Sequence, residues 1–285
     1  MKQKNIPAYG KINLTLDVLG KRPDGYHNVE MIMQSVELHD QIILSEKEDE
    51  GIEIRCNSSH VPTDENNLAY QAADILMKEA GVNKGVTIQI IKKIPVAAGL
   101  AGGSTDAAAV LKGLNSLLGL KVSEERLKEL GAQLGADVPF CINGGTVKAT
   151  GIGTELTSLS SLPELELVMV KPDIGVSTKK IYTNYKEELI TNRPDTAAME
   201  KAIEARDIEG IKDNMVNVLE DITLSIYPEV AEIKEKMEEL GDYPVLMSGS
   251  GPTLFAVINN RQDADEYSQL LKEKLEVQVI RTQTR

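Results

Sequence analysis

The chain has 285 residues, with 31 Lys and Arg against 44 Asp and Glu, for a formal net charge of −13. That balance repels nucleic acid and anionic membrane, and no basic cluster larger than the pairs Lys92-Lys93 and Lys179-Lys180 overrides it. Cys56 and Cys141 make no disulfide framework and fit no metal-ligand spacing, no apolar run reaches the length of a membrane span, and no apolar export segment follows Met1. The expectation is a soluble, cytoplasmic protein with no nucleic-acid or membrane partner. Its length suggests about two domains. With no Trp and two Phe, the core must be aliphatic.

Ile12 to Val18 alternates in polarity and predicts a half-buried strand headed by Lys11. Arg22-Pro23-Asp24-Gly25-Tyr26-His27 has turn chemistry. Strands are predicted at 29–33, 41–44 and 52–54, with a polar turn from Ser45 to Gly51 between the last two. Apolar residues recur at helical spacing from Leu68 to Ala80, and Gly81 ends that helix. A strand at 86–90 leads through a Gly-rich loop into an Ala-rich helix at 106–118. Ser123-Glu124-Glu125-Arg126 opens another helix in the manner of a capping box, and Gly135-Ala136-Asp137-Val138-Pro139 ends it. A strand at 146–150 is turned by Gly151-Ile152-Gly153. The shift to Ser and Leu at 157–163 marks a domain boundary. Beyond it lie strands at 165–170, 245–247, 254–258 and 278–281, with helical patterns at 177–190, 196–206, 207–221, 228–240 and 262–275. Strands and helices mix without strict alternation, so the expected class is α+β in two domains, 1–158 and 159–285.

The stretch Pro95-Val96-Ala97-Ala98-Gly99-Leu100-Ala101-Gly102-Gly103-Ser104-Thr105 empties into a helix. The first N–H groups of a helix have no intrahelical partner and carry partial positive charge, which suits an anion. Glycines let backbone approach a bulky ligand, and Ser104 and Thr105 add hydroxyls where a phosphate or its Mg²⁺ would sit. No Lys follows Gly103 and the glycines are not spaced GxGxxG, so neither common phosphate-loop pattern fits. Other residues admit a plain and a functional reading alike. Lys11 is a solvated strand terminus or a cation for a transferring phosphate. Asp137 is a turn or cap residue, or a base. Asn13 faces water or a polar substrate. Tyr26 and His27 are solvated or bind a ligand. Gly249-Ser250-Gly251-Pro252 is a tight connection or a second backbone wall for the first loop.

Taken together, these segments resemble the three motifs of the GHMP kinase superfamily: Tyr9 to Leu14, Val96 to Ala108 and Leu246 to Thr253, in order across nearly the whole chain. The resemblance implies a ribosomal-S5-like N-terminal domain and a ferredoxin-like C-terminal domain. It also implies an ATP- and Mg²⁺-dependent kinase. Lys11-Ile12-Asn13-Leu14 with Arg22 to His27, Gly135 to Phe140 and Gly175 to Thr178 are similar to one branch. That branch's acceptor is a cytidine diphosphate derivative of methylerythritol, used in non-mevalonate isoprenoid synthesis. By this resemblance Asp137 would deprotonate the acceptor's 2-hydroxyl, and Lys11 would orient Asp137 and steady γ-phosphate charge. Pro95 to Thr105 would wrap the ATP phosphates, with Asn67 and Leu68 beside the adenine. Tyr26 and Tyr182 would sandwich the cytosine, His27 would read its edge, and Asn13 would touch the methylerythritol end. Ala98 and Ala101 stand where Gly is common, so either they keep negative φ or the loop differs in shape. No acidic Mg²⁺ ligand stands out. The acidic surface requires local positive potential from Lys11, the helix dipole and Lys92 or Lys93. Competing readings are a superfamily kinase for another small alcohol (homoserine, mevalonate or a sugar), a ligand-sensing homologue without turnover, and RNA binding through an S5-like fold, which the charge opposes.

Overall fold

The computed structural model describes residues 2–285. The first strands are unusually long: β1 (Gln3–Lys21) and β2 (His27–Lys47), followed by β3 (Ile52–Cys56), α1 (Leu68–Glu79) and β4 (Gly85–Ile91). Next come α2 (Gly102–Leu117), α3 (Glu124–Leu134), α4 (Val138–Asn143), β5 (Thr146–Thr150), β6 (Glu155–Ser158) and β7 (Glu166–Lys171). The remainder comprises α5 (Thr178–Thr183), α6 (Thr196–Ala205), α7 (Ile208–Asp213), β8 (Val216–Asn217), α8 (Val218–Ile226), α9 (Pro228–Leu240), β9 (Val245–Met247), β10 (Leu254–Ile258), α10 (Arg261–Lys274) and β11 (Gln278–Gln283).

These elements form two compact units that interleave along the chain. The first takes the stretch ending at Gly10 together with Leu38–Val96 and Ala101–Gly144. The second takes Lys11–Glu37, Ala97–Leu100 and Gly145–Arg285. β1 and β2 each contribute residues to both units.

In the first unit β4 pairs parallel with β3 and antiparallel with β2, from Gln41↔Ile91 to Lys47↔Gly85. Apolar residues of these strands (Ile42, Leu44, Val86, Ile88 and Ile90) meet small residues on the helices. α1 contributes Ala69, Ala72 and Ala73, and α2 contributes Ala107, Ala108 and Ala109, all buried. Alanine there lets the two helices approach closely while costing little side-chain entropy. A Cβ on Gly113 would lie 2.3 Å from the Ile6 Cδ1, so α2 also needs a bare backbone against β1.

In the second unit β5 pairs antiparallel with β2 (Met31↔Ala149 to Gln34↔Thr146) and β8 pairs parallel with β1 at Thr15↔Val216 and Leu16↔Asn217. A separate antiparallel sheet has the order β11-β7-β10-β9. Numbered within that sheet, the order is 4-1-3-2 in a β-α-β-β-α-β run, which is the ferredoxin-like arrangement. Its two central strands are buried on both faces, which explains the unbroken apolar runs Leu167–Val170 and Leu254–Ile258.

Several elements differ from the sequence expectation. The segments 29–33 and 41–44 are one strand, because the polar residues between them find distant partners: Gln34 accepts from the Thr146 hydroxyl and donates to the Arg285 carbonyl. Pro139, read as a stop, instead lies in the first turn of α4, where its missing N–H costs nothing. The helix expected over 207–221 is α7 and α8 with β8 between them, and Asn217 caps the second. β6 was not expected at all.

Candidate active site

In the first unit the Gly-rich stretch runs into α2, whose N-cap is Ala101 in the left-handed conformation (φ 58°, ψ 27°) with no side-chain cap. By contrast, α1, α3, α5, α6, α7, α8 and α10 are all capped by an Asn, Ser or Asp side chain. The leading N–H groups of α2 are thus left for an outside acceptor. Holding Ala left-handed costs roughly 1–2 kcal/mol, a strain of the kind kept at working sites. Of the two alanines in question, Ala101 adopts positive φ and Ala98 does not, while Ala97 does so unexpectedly (φ 53°).

The two hydroxyls of this turn are not equivalent. Thr105 is buried, and its hydroxyl donates to the Tyr9 carbonyl at 2.6 Å. Ser104 is half-buried, and its Oγ lies 3.8 Å from where a Cβ on Gly135 would be. Ser104 therefore adjoins the Gly135-Ala136-Asp137 turn. Asp137 stands at the N-cap of α4, half-buried, and its side chain makes no capping bond. Asp137 thus occupies a turn, as the plain reading expects, without using its carboxylate as a cap. Asn67 caps α1, accepting from the Ala69 N–H at 2.8 Å and donating to the Pro62 carbonyl at 2.6 Å. Leu68 Cδ1 is 3.5 Å from where a Cβ on Gly103 would be, so Leu68 does border the loop. No group of three or more His, Cys, Asp or Glu that could hold a metal ion occurs among the described residues.

Lys92 does not supply free positive charge. Its ammonium is buried between the carboxylates of Asp40 and Asp106, 2.8 Å from the latter. Asp40 also accepts from the backbone N–H of Lys93 and of Ile94 (2.8 Å), fixing the chain just before the loop. One carboxylate oxygen of Asp106 is buried without a hydrogen-bond partner. Burial pushes the Asp106 carboxyl up to about 7, with Lys92 opposing the shift and Asp40 adding to it. Folded Asp106 thus holds its proton more tightly than the unfolded chain, so its contribution to stability falls as pH rises from 3.8 toward 7. Asp106→Asn is expected to flatten the fall in stability between pH 5 and pH 8, as scanning calorimetry of variant and wild type at the two pH values would record.

In the second unit Lys11 is 5% exposed; its Nζ donates to the Asn13 Oδ1 at 2.7 Å and its N–H to the Leu100 carbonyl at 3.2 Å. Asn13 has no exposed surface and its Nδ2 faces the Met31 Sδ at 3.2 Å. Asn13 therefore holds the Lys11 ammonium. A Cβ on Gly249 would lie 3.2 Å from the Lys11 Nζ. The Ser248 hydroxyl donates to the Gly99 carbonyl at 3.0 Å, and a Cβ on Gly99 would lie 2.3 Å from the Ser248 carbonyl oxygen. The second glycine loop thus touches both Lys11 and Gly99.

The ring cluster belongs to the same unit. Tyr26 is 64% exposed, and Asp24 fixes its turn by accepting the Tyr26 N–H (3.1 Å) while pairing with Arg22. The His27 ring centroid lies 5.4 Å from that of Tyr182 and 5.9 Å from that of Tyr185. Tyr185, which the sequence reading did not single out, approaches His27 from beyond the end of α5. Burial, reinforced by the Lys21 charge, lowers the His27 pKa and favours the neutral imidazole.

Comparison with known proteins agrees with this layout. The GHMP kinases N terminal domain family matches residues 67–145 and the GHMP kinases C terminal family residues 199–276. Among curated relatives, a 4-diphosphocytidyl-2-C-methyl-D-erythritol kinase of Acetivibrio thermocellus is 48% identical over 93% of this chain and 93% of its own length. One of Clostridium acetobutylicum is 47% identical over 98% and 99%. A crystal structure of 4-(cytidine 5'-diphospho)-2C-methyl-D-erythritol kinase superposes with a TM-score of 0.84 at 30% identity, covering 99% of both chains. A homoserine kinase from Cytophaga hutchinsonii shares the fold (TM-score 0.76, 18% identity, 100% of this chain and 95% of that one). The chain belongs to the GHMP kinases and, within them, to the 4-diphosphocytidyl-2-C-methyl-D-erythritol kinases.

Proposed function

We propose that this protein transfers the γ-phosphoryl group of ATP to the 2-hydroxyl of 4-diphosphocytidyl-2-C-methyl-D-erythritol, in cytoplasmic isoprenoid precursor synthesis. The reading rests on the relatives' names and on one observation above others: the uncapped start of α2 lies beside a turn whose Asp137 carboxylate is not used as a cap. The N–H groups of α2, with Pro95 to Thr105, receive the phosphates. Asn67, through the turn it builds, and Leu68 border the adenine. Asp137 accepts the 2-hydroxyl proton as that oxygen bonds to the γ-phosphorus and the bond to the bridging oxygen of ADP breaks. Lys11 orients Asp137 and steadies charge on the transferring group, with Asn13 fixing the ammonium. Mg²⁺, held at Ser104 and by the nucleotide's own oxygens, would neutralise phosphate charge. We assign the ATP-handling role to residues 1–158 and the second domain to 159–285.

The cytosine is stacked on Tyr26 and met by Tyr182 or Tyr185, while neutral His27 offers one donor and one acceptor to its edge. Tyr26→Ala is expected to weaken acceptor binding by about 1–3 kcal/mol with ATP affinity unchanged. Titration calorimetry with each ligand would check it, and unchanged acceptor affinity would remove Tyr26 from the site. The reaction itself is tested by coupled ADP release with Mg-ATP and the cytidyl acceptor, with homoserine, mevalonate and galactose alongside. Turnover with the cytidyl compound alone supports the reading. Turnover with another alcohol keeps the kinase and replaces the acceptor.

A further inference from the structure

The glycine loop 248–251 touches Lys11 and Gly99 on one side, and its other side is anchored by α8. Asn217 is buried and makes three bonds. Its Nδ2 donates to the Met247 carbonyl and to the Gly249 carbonyl, both at 2.7 Å, and its Oδ1 accepts from the Leu219 N–H at 3.0 Å. Two further residues on the same helix reinforce the hold. Glu220 accepts from the Met247 N–H at 2.7 Å, and Thr223 donates to the Ser250 carbonyl at 3.2 Å. Asn217 is also paired with β1 at Leu16, on the strand that carries Lys11 and Asn13. One residue therefore links, through its backbone, the Lys11 strand and, through its side chain, the start of α8 and the loop that abuts Lys11 and the Gly99 turn.

We propose that Asn217 is a positioning residue: acting through Met247 and Gly249, it fixes the loop that sets Lys11 and the Gly99 turn for phosphate. The proposal rests on the reading that Lys11 and Gly99 face the nucleotide's phosphates. The chemistry asks for asparagine in particular. Two carbonyls require two N–H donors from one short side chain, while the helix start requires an acceptor, and an amide supplies both. Aspartate has the same shape and still caps α8, but sets a carboxylate against two carbonyl oxygens. Serine also caps well but cannot donate twice.

Asn217→Ser and Asn217→Asp thus retain the cap and remove the anchor. Each is expected to lower kcat and to raise the ATP dissociation constant, by about tenfold for two lost hydrogen bonds. The acceptor KM should stay at the wild-type value. Thr223→Val, which removes one outlying bond, is expected to have a smaller effect of the same kind. ATP binding is measured by calorimetry without acceptor, so the result stands even if wild type fails to turn over the cytidyl compound. Weakened ATP with an unchanged acceptor KM supports the role. A folded Asn217→Asp with wild-type ATP affinity and kcat overturns it. So does equal weakening of ATP and acceptor, which would mark a general loss of structure.

Discussion

Asp137→Asn is expected to cut turnover by on the order of 10² or more while ATP binding stays nearly intact. The amide keeps the size of the carboxylate but cannot take the hydroxyl proton. Because the native side chain makes no capping bond, α4 loses nothing by the change, and the melting temperature is expected to hold. Single-turnover kinetics with pre-bound ATP and acceptor isolate the chemical step, and calorimetry reads nucleotide affinity. Full single-turnover activity in the variant would remove Asp137 as the base.

Gly99→Ala is expected to be the most disruptive single-methyl change in the chain's working loop. The new Cβ would fall 2.3 Å from the Ser248 carbonyl oxygen and 3.0 Å from that of Gly251, both backbone atoms with little freedom. Gly99 also has φ 76°, which L residues adopt at a cost. Overpacking and backbone strain together amount to roughly 2–4 kcal/mol. The loop has two ways to respond: it stays in place and the protein loses that stability, or it withdraws from Ser248 and the ATP KM rises. Denaturant unfolding alongside ATP kinetics separates these outcomes. Wild-type values in both would mean that the contact with Ser248 carries no constraint.

The sequence made the punctuated elements legible: Gly81 ends α1's turn, Ser123 caps α3, and the alternation from Ile12 to Val18 lies within β1, although its polar face is buried as well. What it hid depends on partners far away in the chain. The polar stretch from Gln34 to Asp40 reads as a break until Thr146, Arg285 and Lys92 are known to meet it. Lys92 reads as a free cation until Asp40 and Asp106 close on it. Ser104 and Thr105 look alike until the Tyr9 carbonyl claims one of them. Asn13, polar on a strand, gave no sign that its amide faces Lys11 inside the protein. Candidate residues could therefore be singled out from the sequence, whereas their neighbours are placed by contacts that no local pattern encodes.

The bond from the Ser248 hydroxyl to the Gly99 carbonyl spans 149 residues of chain. During synthesis from the N-terminus, Gly99 emerges long before its partner exists. At about 5–20 residues per second the gap lasts on the order of ten seconds. Over that interval the Gly99 carbonyl lacks the Ser248 hydroxyl that later donates to it, and β1 still lacks the β8 pairing at Thr15 and Leu16. The nascent polypeptide completes these contacts only once residue 248 has been made, so translation products that stop earlier would lack them.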